Sequence, residues 1–201
     1  MKKLFLLFAL LVSIVLKAQE ADNSWSFTAS ANFYFFSDDF IILPEFIADK
    51  NHLHLEARYN YEDMETASVW AGYNFYGGKK LTYEITPMAG VVFGLTNGIA
   101  LGLEFEFTLG GFTFYNESEY LFDLKTKENN FFYSWADFTY APLDWLNFGI
   151  SGQRTQLFES ESEIQHGLVL GSTFKNFDAS IYLYNPEQDS RFLFLAFSYN
   201  F

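Results

Sequence analysis

Every second residue from Leu193 to Phe201 is apolar: Leu193, Leu195, Phe197, Tyr199 and Phe201. A period of two is the repeat of an extended strand, whose successive side chains point to opposite faces. An α-helix would instead place apolar residues three and four apart. The same alternation recurs down the chain. In 52–62, Leu53, Leu55, Ala57, Tyr59 and Tyr61 form one face, and His52, His54, Glu56, Arg58, Asn60 and Glu62 the other. In 99–108, Ile99, Leu101, Leu103, Phe105 and Phe107 oppose Gly102, Glu104, Glu106 and Thr108. Segments 65–76, 130–141 and 177–185 read the same way. A chain patterned like this folds into β-sheet.

Composition decides what kind of sheet. Phe, Trp and Tyr make up 21% of the chain, yet mean hydropathy is only +0.01. Strands with one lipid-facing and one polar face give that pairing, because the two faces cancel in the average. After residue 18 no apolar run approaches the roughly 20 residues of a membrane helix. A backbone N–H or C=O left unpaired in hydrocarbon costs several kcal/mol, so a sheet that spans lipid must close into a barrel. Its apolar face then meets lipid and its polar face lines the lumen.

Met1, Lys2 and Lys3 form a short basic start, Leu4 to Leu16 is almost wholly apolar, and Lys17-Ala18-Gln19 offers a small residue for cleavage. This is the pattern of a secretory signal peptide. Residues 1–18 are expected to be removed and 19–201 to form one barrel domain; an uncleaved anchor helix is the alternative. Residues 1–18 hold three of the 12 basic residues and none of the 25 acidic ones, which leaves nine against 25 and a formal charge of −16. Nucleic acid is excluded as a partner, since its phosphates require a basic surface. With no cysteine in the chain, no disulfide, thiolate metal site, cysteine nucleophile or lipoprotein anchor is expected.

The signal peptide, the alternation and the terminal aromatic Phe201 together resemble Gram-negative outer-membrane β-barrel proteins, with no motif of a particular subfamily. The resemblance implies an all-β, transmembrane, antiparallel up-and-down barrel in the outer membrane of a Gram-negative bacterium. It also implies two partners: outer-membrane lipids, and the barrel-assembly machinery that reads the strand ending at Phe201. Such barrels serve as pores, enzymes, adhesins and structural proteins, so fold alone does not assign an activity.

Plain segments number eleven: 25–36, 52–62, 65–76, 81–95, 99–108, 111–123, 130–141, 145–158, 164–174, 177–185 and 191–201. Bacterial single-chain barrels have even numbers. Segment 81–95 carries Pro87 and Gly90, and proline cannot donate a ladder hydrogen bond. A break there predicts 12 strands; folding part of 81–98 inward, or displacing 25–36, leaves 10. Ser37 to Asn51 reads as the longest outer loop, with Phe40 to Pro44 folded over the mouth. With Phe201 at the periplasmic end, 185–190, 159–163 and 125–130 fall outside, and the tight turns at 175–176, 142–144 and 110–111 inside. Tyr140, Trp145, Tyr199 and Phe201 then form a periplasmic aromatic girdle.

The inward positions are mostly acidic. Glu56, Glu84, Glu104, Glu106, Glu117, Glu119 and Asp137, with Arg58 and Arg154, are the expected lumen lining. A lining of one sign biases which ions enter, so a narrow channel taking small solutes or cations is one expectation. The other is a structural barrel filled by side chains, with Trp70, Trp135 and Tyr182 pointing inward. Arg154 falls on the apolar face set by Phe148. Either a bulge turns it inward to pair with Glu117 or Glu119, or it sits near the outer interface, where a lipid-facing arginine costs only about 0–1 kcal/mol. Asn116-Glu117-Ser118-Glu119 also breaks that face, as if the strand left the bilayer there.

An outer-membrane lipid-modifying or hydrolytic enzyme is the alternative function. It would need a histidine base beside a serine or water, oriented by a carboxylate. His52, His54 and His166 read as lying near outer strand ends, Glu56 shares a face with His52 and His54, and Ser118 or Ser160 are the available hydroxyls. No spacing singles out a nucleophile, so no catalytic residue is assigned. His52 and His54, two apart, have the spacing of a shared metal site, but neither a metal nor another cofactor is expected.

Overall fold

The computed structural model describes residues 24–36, 39–154 and 164–201; the signal-peptide expectation lies outside them. The strands are β1 (Ser26–Phe35), β2 (Phe40–Lys50), β3 (Leu53–Tyr59), β4 (Thr66–Tyr73), β5 (Phe75–Gly78), β6 (Leu81–Gly94) and β7 (Gly98–Leu109), then β8 (Phe112–Asp123), β9 (Phe131–Leu143), β10 (Leu146–Arg154), β11 (Ile164–Phe174), β12 (Phe177–Tyr184) and β13 (Phe192–Asn200). Neighbours in sequence pair antiparallel, β1 pairs with β13, and β4 also pairs with β6. β4 and β5 are one spanning strand in two pieces, since both pair with β6 in a single register: Gly72 opposite Met88, Phe75 opposite Ile85. The sheet is therefore a closed, 12-strand, up-and-down antiparallel barrel.

The even count agrees with expectation, but the strand missing from the plain reading is elsewhere. β6 runs unbroken through Pro87 and Gly90. The additional strand is β2, inside the segment 37–51 read as an outer loop. Proline explains both departures. Pro87 stays paired with Leu103 of β7, while on its other side the ladder lapses between β4 and β5. The absent N–H is placed where no bond is made. Pro44 pairs with Ala31 of β1, and the β2–β3 ladder begins one residue later, at Glu45. Just beyond, the Asn60 side chain donates to the Ile42 carbonyl at 3.1 Å.

Five two-residue turns, at 51–52, 79–80, 110–111, 144–145 and 175–176, lie at the end that also holds Asn200 and Ser26; this is the terminal end. The longer connections among the described residues, at 60–65, 95–97, 124–130 and 185–191, lie at the opposite, loop end. Asn51 and Lys175 take left-handed φ of 55° and 57° in their turns, as two-residue hairpin turns require. The pattern agrees with the expected short and long sides. It also moves His52 and His54 from the loop end, where they were expected, to the terminal end.

Outward positions carry Phe148, Ile150, Leu168 and Leu170, all exposed. Tyr61, expected among them, is instead buried in the lumen. Asn60 adopts a φ of 63° just after β3, which breaks the alternation and swings Tyr61 inward, where its hydroxyl accepts from Asn32 Nδ2 at 2.6 Å.

Candidate lumen site

The loop half of the barrel interior holds two hydrophobic clusters among a few buried polar groups. Tyr34, Tyr184, Phe192 and Phe194 stack there with ring centroids 4.5–6.0 Å apart along the chain of contacts, and Tyr184 and Phe194 are 0% exposed. Trp135 and Tyr182, both expected to point inward, close the lower side of this cluster against Phe194. A second cluster, Trp70, Met88, Val92, Ala100 and Leu121, fills the other side of the barrel, and Phe131 packs against both. The Trp70 indole lies on Gly90, where an added Cβ would meet its Cδ2 at 2.4 Å. Gly90, read as a strand breaker, is thus the seat of a lumen tryptophan.

Below this core sits Arg58. Its guanidinium stacks 5.1 Å from the ring centroids of both Tyr61 and Trp70. Five carboxylates converge on it: Glu56 at 2.5 Å, Glu117 at 2.7 Å, Glu104 at 3.2 Å, Glu45 at 3.3 Å and Glu119 at 3.7 Å. They come from β2, β3, β7 and β8, brought together by inward alternation on strands far apart in sequence. One cation among five carboxylates does not balance. Consistent with that excess, Glu119 Oε1 and Glu62 Oε2 are buried with no hydrogen-bond partner.

Two cavities open beneath the cluster. One, of about 240 Å³, is lined by Glu45, Glu104, Glu117, Asp137, Asp178 and the aromatic rings of Tyr61, Trp135 and Tyr182, among others. The second, of about 190 Å³, is lined by Asp49, His54, Glu84, Glu104 and Glu106 with Thr86 and Tyr115. Glu104 and Tyr115 border both. Asp137 accepts from Trp135 Nε1 at 2.7 Å and from Tyr182 at 2.9 Å, and so ties the aromatic core to the first cavity.

A string of contacts leads from the second cavity to Arg58. Asp49 Oδ1 lies 2.8 Å from His54 Nδ1, and His54 Nε2 lies 2.6 Å from Glu56 Oε1. Asp49 is itself held by Asn74 Nδ2 at 2.9 Å, and Asn74 accepts from Thr86 at 2.8 Å.

Eight of the nine expected lumen residues thus face inward. Glu56, Arg58, Glu104, Glu117 and Glu119 form the cluster, and Glu84, Glu106 and Asp137 line the cavities. Arg154 does not join them. It is exposed on the outer face at the loop-end limit of β10, 5.9 Å over the Phe132 ring. Its outward position matches the interfacial alternative, and Arg58 takes the pairing with Glu117 and Glu119. The polar run 116–119 does not mark a strand leaving the bilayer either. Asn116, Ser118 and Ser134 bond to one another at 2.8–3.1 Å on the outer face. Tyr120 and Phe122, further along β8, are exposed outward again.

Glu45 and Asp49 were missed as site residues, and His54 was weighed only as a catalytic base or metal ligand. The first two lie in β2, whose loop-end part, Phe40 to Pro44, is apolar on both faces and shows no alternation. The histidines contact no hydroxyl among the described residues: His52 Nδ1 meets the Asn74 carbonyl at 2.7 Å, His54 meets Asp49 and Glu56, and His166 meets Glu187. Ser118 lies on the outer face, and Ser160 is outside the described residues.

No family model matches the chain, and no curated protein matches it in sequence. Among solved structures it is similar to the KdgM porin, with a TM-score of 0.60 and 13% identity over 87% of this chain and 99% of that one. It is equally similar to the KdgM porin in complex with disordered oligogalacturonate, with a TM-score of 0.62, 12% identity and the same coverage. At these identities the likeness is one of fold: a closed antiparallel β-barrel.

Proposed function

We propose that this protein is a small outer-membrane channel of the narrow-porin shape, favouring cations and closed at mid-height by its aromatic core. The terminal end faces the periplasm, and the acidic cavities form a vestibule entered from there. The observation that carries the reading is the convergence of Glu45, Glu56, Glu104, Glu117 and Glu119 on one arginine. An excess of buried carboxylate around Arg58 attracts cations and repels anions. A polyanion such as the oligogalacturonate of the porin complex is therefore a poor solute for this barrel. The enzyme alternative gains no support from the histidine contacts.

A purely structural barrel is the second reading, favoured by the complete burial of Tyr184 and Phe194. Conductance in planar bilayers under a salt gradient separates the two. The wild-type protein is expected to be silent or to open rarely. Phe194→Ala, which removes the side chain at the centre of the aromatic core, is expected to give discrete cation-favouring steps. Anion-favouring steps, or silence from a folded Phe194→Ala barrel, would overturn the channel reading.

A further inference from the structure

We propose that His54, Glu56 and Glu104 form a site for one divalent cation of the Zn²⁺ type at the head of the 190 Å³ cavity. A ring nitrogen of His54 and one carboxylate oxygen from each glutamate lie within 4.8 Å of one another, and it is Nε2 that faces Glu56. One imidazole nitrogen with two carboxylates and no sulfur suits zinc and its neighbours. Bonds of about 2.0–2.2 Å require the His54–Glu56 contact to widen from 2.6 Å and Glu104 to draw in. Two glutamate side chains can make that adjustment by rotation. His54 and Glu104 both line the cavity, which supplies an entry path and room for a fourth, non-protein ligand.

The observation beyond the cluster is what stands behind the histidine. Its other ring nitrogen, Nδ1, lies 2.8 Å from Asp49, which is fixed in turn by Asn74. A carboxylate on the far nitrogen is the usual orienting partner of a metal-bound imidazole; it selects the tautomer that leaves Nε2 free for the metal. Each glutamate has one oxygen held by Arg58, Glu56 at 2.5 Å and Glu104 at 3.2 Å, so their orientation is set on that side too. Charge agrees: counting Asp49, six carboxylates surround one arginine here, and a divalent ion reduces that excess. The ion replaces the proton between His54 Nε2 and Glu56 Oε1, so binding releases one proton.

The inference does not depend on conduction and is tested without it. Metal-stripped, refolded full-length barrel in detergent is titrated with Zn²⁺ by calorimetry in two buffers of different ionisation enthalpy, and with Co²⁺ by visible absorption. One ion per barrel, about one proton released and the intense Co²⁺ bands of four-coordination are expected. Asp49→Asn should weaken binding about 10- to 100-fold; His54→Gln and Glu104→Gln should weaken it more. Retarded gel mobility on heating verifies that each variant is folded, and if His54→Gln does not fold, Glu104→Gln carries the comparison. No stoichiometric binding would overturn the site and leave His54 as a proton-carrying partner of Asp49 and Glu56. So would binding unchanged by the variants, which would assign the metal to surface carboxylates.

Discussion

Arg58 and Glu117 are 59 positions apart in sequence and 2.7 Å apart in the lumen, Nη1 donating to Oε1. The contact joins β3 to β8 across the interior. Removing the arginine leaves five carboxylates facing one another in a buried setting. Breaking a buried pair by deleting one partner costs about 3–5 kcal/mol, and Arg58→Met is expected to cost at least that, read from the urea midpoint of the folded barrel. A change below about 1 kcal/mol would mean that the cluster is not charged as drawn.

Glu119 behaves in the opposite way. Its Oε1 has no partner and its Oε2 is the most distant of the five from Arg58, at 3.7 Å. Glu119→Gln keeps the shape, removes a charge and adds a donor. An unsatisfied buried group costs about 1–3 kcal/mol, so this substitution is expected to leave stability unchanged or raise it by up to that amount. A clear loss in the same urea assay would show that Glu119 has a partner of its own, such as a bound cation.

Gly90 tests the seat of Trp70. An alanine Cβ there meets the indole at 2.4 Å, so Trp70 must shift and its stacking on Arg58 is disturbed. Overpacking of this kind costs about 1–3 kcal/mol. Gly90→Ala is expected to lower the unfolding midpoint accordingly and to alter tryptophan emission. An unchanged midpoint would place Trp70 elsewhere.

At the loop end, Glu187 is hydrogen-bonded by its own backbone N–H and by His166, and both hold its carboxyl below the usual glutamate range. A carboxylate with a depressed pKa contributes above its unfolded value and loses that contribution as pH falls through the folded one. The contact with His166 is therefore expected to survive acidification through the ordinary glutamate range and to break only below it. An NMR titration of the Glu187 side chain giving a midpoint at or above that of free glutamate would refute this.

The barrel was legible because alternation records which face each residue occupies, and Glu56, Glu104, Glu117 and Glu119, picked out by that parity, lie around Arg58. Arg154 shows the limit of that signal. Parity alone already put it on the Phe148 face, and only the assumption that a charge must seek a partner turned it inward. β2 was hidden because Phe40 to Pro44 is apolar on both faces, so the run carries no period of two. A lumen filled by side chains was one of two expectations, and the sequence did not choose between them. Phe194 meets Tyr34 across β13 and β1, strands distant in sequence, and no local pattern says whether inward rings will touch or leave a gap.

The five two-residue turns and the aromatic core together give the molecule a bottom. The ring cluster lies toward the long loops, and the acids that line the two cavities lie toward the two-residue turns. In the proposed channel, Tyr184 and Phe194 would then be the stopper, and an ion held near Glu104 would exchange only with the compartment beyond the turns.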